Sequence, residues 1–260
     1  MIEKLSLISE GKAKSLYETS ETSELLMVYR DDTSAFDGKK KEALKGKGEI
    51  NNKFNAFIMQ YLANNGVETH FIKLVQDNES LVKRLDMLPV ECVVRNIATG
   101  SLTKRLGIEE GTILDYPLIE YCLKNDDLGD PLVSREHILS FNWMNIMELE
   151  LINDQCKRIN DFLQGMFRGV GIKLVDFKLE FGRSGQDNEI ILADEISPDT
   201  CRLWDSRTEK KLDKDIFRKD LGNLIEGYQE VAKRLDILHE QSNIRPIKFP
   251  KPKAVKIKKK

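Results

Sequence analysis

The run Val175-Asp176-Phe177-Lys178-Leu179-Glu180-Phe181 alternates apolar and charged side chains. Successive side chains of a strand point to opposite faces, so Asp176, Lys178 and Glu180 share one face. Two carboxylates there flank one amine. The turn-rich 182–188 segment and the apolar run ending in Asp194-Glu195 predict a returning hairpin strand, so that one of these acids meets the same polar face. A loop symmetric about Gly185 would put position 194 opposite 176. An acidic sheet face holding a lysine suits a magnesium–nucleotide site, because Mg2+ takes hard oxygen ligands and bridges carboxylates to substrate phosphates. The same pattern also describes a solvent-facing hairpin with ordinary ion pairs, and spacing alone leaves both open.

Two further segments have chemistry suited to anions. Glu10-Gly11-Lys12-Ala13-Lys14-Ser15 lies between two strand patterns, where a tight turn would bring backbone and two lysines to a polyphosphate. The G-x-x-x-x-G-K-[ST] spacing is absent, and Gly46-Lys47-Gly48 completes no G-x-G-x-x-G, so neither nucleotide fingerprint applies. Arg95 ends an apolar run, Gly100-Ser101 precedes a basic segment with Lys104 and Arg105, and Arg202 follows Ser197-Pro198-Asp199-Thr200-Cys201. Arginine forks, serine hydroxyls and helix N-terminal amides favour phosphate. Each of these residues, taken singly, also fits a surface ion pair, and the Gly-Lys turn also fits a plain hairpin.

The elements that must position these residues are read from periodicity. Strands are expected over 5–8, 15–17 and 25–30 as a meander, then over 69–75, 80–85, 90–95, 173–181 and 189–196. Between 31 and 48 apolar periodicity vanishes while glycines alternate with lysines, which reads as a long mobile loop and a candidate lid. Helices are expected over 49–65, in a short basic piece through 106, over 145–170 with a continuous apolar stripe, and over 215–238. The Pro- and Asp-rich stretch up to 142 gives no clear element.

Composition narrows the class. Of 260 residues, 40% are hydrophobic and 32% charged, which fits a globular core and excludes wholesale disorder. The last thirteen residues, 248–260, hold seven Lys and no acid, leaving 34 basic residues against 43 acidic ones in the rest of the chain. That body lacks the basic face and interleaved aromatics of a nucleic-acid binder. No apolar run approaches the roughly 20 residues of a membrane span, and the N-terminus has no leader pattern, so the chain reads as cytoplasmic and mature from residue 1, with no membrane partner. Four cysteines, far apart and without a C-x-x-C pair, read as reduced thiols. Protein-kinase signatures are missing, since Asp176-Phe177 runs into Lys178 rather than Gly.

Taken in order, Gly11-Lys12-Ala13-Lys14, Asp32-Thr33-Ser34-Ala35-Phe36-Asp37, Val90-Glu91-Cys92-Val93-Val94-Arg95-Asn96, Thr99-Gly100-Ser101, Val175 through Gly182, and Asp194-Glu195-Ile196-Ser197-Pro198-Asp199 with Arg202-Leu203-Trp204-Asp205 resemble the SAICAR synthetase (phosphoribosylaminoimidazole-succinocarboxamide synthase) family. The resemblance spans nearly the whole body and implies an α+β, two-lobed, ATP-grasp-like fold with mainly antiparallel sheets. Its implied parts are a β-rich nucleotide-binding lobe at 1–90, a larger substrate and catalytic lobe at 91–247, and a basic tail at 248–260. The implied activity is a ligase of purine biosynthesis that uses ATP and Mg2+. It joins L-aspartate to the carboxylate of 5-aminoimidazole-4-carboxylate ribonucleotide (CAIR) through an acyl phosphate, giving SAICAR, ADP and phosphate.

By the same resemblance Lys12, Ala13 and Lys14 would hold ATP phosphates, and Val82, Lys83 and Leu85 would line the adenine pocket. Glu180 and Asp194 would hold Mg2+. Arg95, Ser101 and Arg202 would grip the ribonucleotide 5′-phosphate, Lys178 and Asp176 would sit at the reacting ends, and Ser34 and Asp37 would lie near aspartate or the ribonucleotide. A homodimer is what the family suggests. Phe36, Thr200-Cys201 and the Lys-rich tail depart from the family pattern without removing any of these ligands.

Overall fold

The structure is a computed structural model that describes residues 2–35, 40–185 and 187–237. Asp37 and the basic tail lie outside the described residues. In chain order come β1 (Leu7–Glu10), β2 (Lys14–Glu18), β3 (Glu24–Tyr29), β4 (Asp32–Ala35), β5 (Lys40–Ala43), α1 (Lys47–Asn64), β6 (Phe71–Gln76) and β7 (Glu79–Lys83). β8 (Leu85–Ile97), α2 (Ser101–Leu106), β9 (Ile113–Leu123), β10 (Leu132–Val133), α3 (Arg135–Ser140) and α4 (Ile146–Gly169) follow. The chain then forms β11 (Ile172–Ser184), β12 (Ile190–Ala193), β13 (Cys201–Asp205), α5 (Asp215–Arg218) and α6 (Leu224–Arg234).

Two sheets divide the chain at Arg84. The first has the order β1-β2-β3-β7-β6. The second runs β10-β9-β8-β11, with β12 and β13 both pairing with β11. Both are antiparallel throughout their named pairings. The apolar stripe of α4 explains its place: Ile152, Cys156, Ile159, Leu163 and Phe167 are fully buried, in one core with Val94, Phe177, Leu179 and the α1 residues Phe54, Ile58 and Leu62. A capping box between Asn145 and Glu148 starts that helix. With the apolar side of β11 committed to this core, Asp176, Lys178 and Glu180 are left on the opposite face.

Several expectations change. The expected loop at 31–48 contains an antiparallel pair, β4 with β5, and α1 begins inside it at Lys47. Its join to α1 is pinned: the Asp31 carboxylate accepts the Gly46 and Gly48 amides at 3.2 and 2.9 Å. A Cβ on Gly48 would lie 2.8 Å from the Tyr29 carbonyl oxygen, so only glycine permits the approach. A two-stranded ribbon of polar residues leaves no apolar alternation to read. The expected helix at 215–238 is two helices, because Gly222 takes φ +132° and Asn223 caps α6 by accepting the Ile225 amide. β9, crossing the stretch that gave no clear element, carries Pro117, tolerable where its neighbour β10 covers only two residues. The hairpin register also differs. Glu180 faces Ala193, so the β11–β12 turn is centred past Gly185 and position 194 does not oppose 176.

Candidate active site

Asp176 pairs with Arg95 on β8 and with Arg202 on β13, so the three side chains emerge from adjacent strands on one face. Its Oδ2 accepts from Nη1 of both arginines at 2.7 Å. Arg95 also donates from Nε to Glu120 at 2.7 Å and from Nη2 to the Ser101 hydroxyl at 3.1 Å. Arg202 Nε reaches Asp215 at 3.2 Å. Gly100 has φ +61°, and a Cβ there would lie 2.8 Å from Arg202 Nη2. Burial alone would depress the Arg202 guanidinium, but Asp176 and Asp215 outweigh it and hold it above its ordinary value. Beneath this group Asp213, buried and beside Asp215, has its carboxyl pushed up to about 7.

Two residues along β11 the chemistry changes to a carboxylate–ammonium lattice. Lys178 Nζ lies 2.5 Å from Glu180, 3.3 Å from Glu91 and 3.6 Å from Asp194. Lys14, delivered by the β1–β2 turn, reaches Asp194 at 2.5 Å and Glu195 at 2.8 Å, and Lys124 reaches the second oxygen of Glu180 at 2.5 Å. Burial would lower the Lys14 and Lys178 pKa values, yet Asp194 with its acidic neighbours raises both. Conversely, burial would raise Asp194, and Lys14 and Lys178 bring it below the carboxylate range. Glu91 is shifted up by burial, with Glu180 adding to the effect.

Four carboxylates here meet three ammoniums, and Glu195 Oε2 is buried without a hydrogen-bond partner. These hard oxygens fit a divalent cation of the magnesium type. Among the described residues no three-ligand His, Cys, Asp or Glu cage exists, so such an ion would need oxygens from a bound phosphate as well.

The structure thus brings Lys14, Asp176, Lys178, Glu180 and Asp194 close to the Arg95, Ser101 and Arg202 group. The other expected site residues make separate contacts. Lys12 is half exposed and pairs with Asp126 at 2.7 Å. The Ala13 carbonyl accepts the Arg30 amide. Val82 is buried with Leu25, Met27 and Tyr29, Lys83 pairs with Glu68 at 3.3 Å, and Leu85 opens β8 opposite Ser184. Ser34 lies on β4 opposite Lys41. Both acids of Asp194-Glu195 reach Lys14, not one, because Asp194 takes φ +56° and breaks the strand alternation. Glu91, Glu120, Lys124 and Asp215 were not singled out from sequence. Glu91 was findable, standing two strand periods before Arg95 on the same face. Glu120 and Lys124 sit on or just after the unrecognised β9.

The family model for SAICAR synthetase matches residues 7–235. A phosphoribosylaminoimidazole-succinocarboxamide synthase of Pelagibacter ubique is 56% identical over 252 residues, 96% of this chain and 97% of that relative. The crystal structure of the Ehrlichia chaffeensis synthase superposes with a TM-score of 0.89 at 47% identity, covering 90% of this chain and all of that one. A SAICAR synthetase in complex with ADP gives 0.85 at 43% identity, covering 88% and 97%. With a match from β1 to the end of α6, and relatives sharing about half of all residues over nearly their full length, the chain belongs to the SAICAR synthetase family.

Proposed function

We propose that the chain is the ATP-dependent ligase that joins L-aspartate to the carboxylate of CAIR, forming SAICAR, ADP and phosphate in purine biosynthesis. The observation that carries this reading is the juxtaposition on one sheet face of an arginine–serine anion grip and a lysine–carboxylate lattice, bridged by Asp176 and Lys178. The grip, Arg95, Ser101 and Arg202, takes the ribonucleotide 5′-phosphate. Lys12, Ala13 and Lys14 take the ATP phosphates, and the 82–85 crossing between the sheets, with Val82, Lys83 and Leu85, lines the adenine. Ser34, with Asp37 outside the described residues, approaches aspartate or the ribonucleotide. In this reading residues 1–90 are the nucleotide lobe and 91–247 the substrate lobe of an ATP-grasp-like plan, and the enzyme works in the cytoplasm as a homodimer. Among the described residues no helix is long and apolar enough to cross a membrane.

A carboxylate is a poor electrophile, because its carbonyl is resonance-stabilised and an oxide would have to leave. Moving the ATP γ-phosphoryl onto a carboxylate oxygen of CAIR breaks the bond to ADP and makes an acyl phosphate. The aspartate amine then attacks the acyl carbon, the new C–N bond expels phosphate, and the amine proton departs. Glu180 and Asp194 would hold Mg2+, which would supply charge neutralisation and alignment for the transferring group. Lys178, already fixed between those acids, neutralises the oxygens that would repel the incoming carboxylate. Asp176 holds both arginine forks in one orientation, so the ribonucleotide arrives positioned rather than merely bound.

The reading is tested by incubating the protein with ATP, Mg2+, L-aspartate and CAIR while following SAICAR absorbance and ADP together. Equal formation of both, dependent on aspartate, is expected. ADP release that ignores aspartate would point to a phosphotransferase.

A further inference from the structure

His70 stands just before β6 and is almost fully buried. Its backbone laces the two sheets: its amide donates to the Leu192 carbonyl at 2.8 Å, and its carbonyl accepts the Lys83 amide at 2.7 Å. The neighbouring Glu68 carbonyl accepts the Leu192 amide, and Thr69 bridges Leu192 in parallel. The imidazole adds a side-chain tie, with Nε2 2.9 Å from the Asp194 carbonyl oxygen. A carbonyl oxygen only accepts, so Nε2 carries the proton.

The tie falls on a residue with an unusual backbone. At φ +56° Asp194 occupies the left-handed region, which favours glycine and which aspartate enters more readily than most other residues. That turn of the backbone lets both Asp194 and Glu195 reach Lys14, and Asp194 also face Lys178. Returning φ of Asp194 to the extended range would move its Cβ and its carbonyl together, taking the carboxylate off the lattice and the carbonyl oxygen away from His70.

We propose that His70 is a positioning residue for the ligase reaction: its Nε2–H clamps the Asp194 peptide in the left-handed conformation that aims the Asp194 carboxylate at the Mg2+–nucleotide. The inference rests on the reading of Asp194 as part of the nucleotide site. The same residue binds the end of β7, so it also sets the distance between the proposed adenine-lining segment and the proposed metal carboxylate.

Three variants of the full chain test it: His70→Leu, which fills the site without a donor, His70→Gln, which restores an N–H, and Asp194→Asn. Calorimetric titration with Mg2+ and ADP should give a Kd raised about tenfold in His70→Leu, the loss of roughly one well-placed hydrogen bond. It should be restored to within about threefold of wild type in His70→Gln, with KM for CAIR unchanged in both. Equal losses in His70→Leu and His70→Gln, or an unchanged Kd in folded His70→Leu, overturn the proposal while leaving the nucleotide site standing. If Asp194→Asn binds Mg2+–ADP like wild type, the reading of Asp194 fails and the proposal falls with it. Should His70→Leu not fold, nitrogen-15 NMR of wild-type imidazole decides: an Nε2–H tautomer retained with Mg2+–ADP bound is expected, and an Nδ1–H tautomer contradicts the clamp.

Discussion

Replacing Arg202 with alanine separates the two halves of the site. The guanidinium spends one edge on Asp176 at 2.7 Å and its Nε on Asp215 at 3.2 Å. Both carboxylates keep another cation when it is removed, because Asp176 retains Arg95 at 2.7 Å and Asp215 retains Arg218 at 2.8 Å. The fold should therefore survive with a modest loss of about 1–2 kcal/mol. A charge-assisted hydrogen bond to a phosphate contributes about 1.5–3 kcal/mol, so KM for CAIR should rise about 10- to 150-fold. KM for ATP should move by less than about threefold, since the lysine–carboxylate lattice is untouched. Steady-state kinetics with each substrate varied in turn, beside a thermal melt, measures all three quantities. Equal losses for ATP and CAIR, in a protein that still melts cooperatively, would refute the assignment of Arg202 to the ribonucleotide phosphate.

Gly100→Ala should act on the same grip from the other side: the added Cβ at 2.8 Å displaces the Arg202 fork and strains a residue at φ +61°, raising KM for CAIR about tenfold or more, measured at saturating ATP. Lys47→Met tests a fully buried ion pair. Lys47 Nζ reaches Asp199 at 2.7 Å and donates to the Asp32 carbonyl at 2.8 Å, so its loss should destabilise the chain by about 3–5 kcal/mol in urea unfolding and free β4 from α1. A pH test follows from Asp213. Its carboxyl ionises near 3.8 unfolded and about 7 folded, so the stability it contributes is present below pH 4 and lost as pH rises through 7. Linkage sets the amount at up to about 4 kcal/mol. Relative to Asp213→Asn, the wild type should lose unfolding free energy between pH 4 and 8; a constant difference between the two would show that Asp213 titrates normally.

Much of this was legible in sequence because β11 sits between a committed core and a committed site. Once Phe177 and Leu179 are recognised as core, Asp176, Lys178 and Glu180 have only one face left. Helix α4 was equally readable, its apolar stripe stating both its face and its extent. Register was not. A three-residue difference in pairing, Glu180 facing Ala193 rather than Ile190, decides whether position 194 opposes 176 or falls beside 179 and 180, and composition does not fix where a Gly-, Ser- and Asn-rich turn pivots. Left-handed Asp194 escaped for a related reason, since alternation presumes extended backbone. The β4–β5 ribbon and β9 were missed because two polar strands, or a strand with an open edge and a proline, bury too little apolar surface to leave a period. Lys124 and Glu120 depend on β9 and could not be seen without it, and the clamp by His70 depends on the turn at Asp194.

The account turns on a carboxylate being activated by phosphoryl transfer before an amine captures it. CAIR labelled with oxygen-18 in its carboxylate, turned over with ATP, Mg2+ and L-aspartate, reports this in the phosphorus-31 spectrum of the released phosphate. One labelled oxygen should appear in phosphate for each SAICAR formed. Phosphate free of label, with SAICAR still produced, would contradict the mechanism.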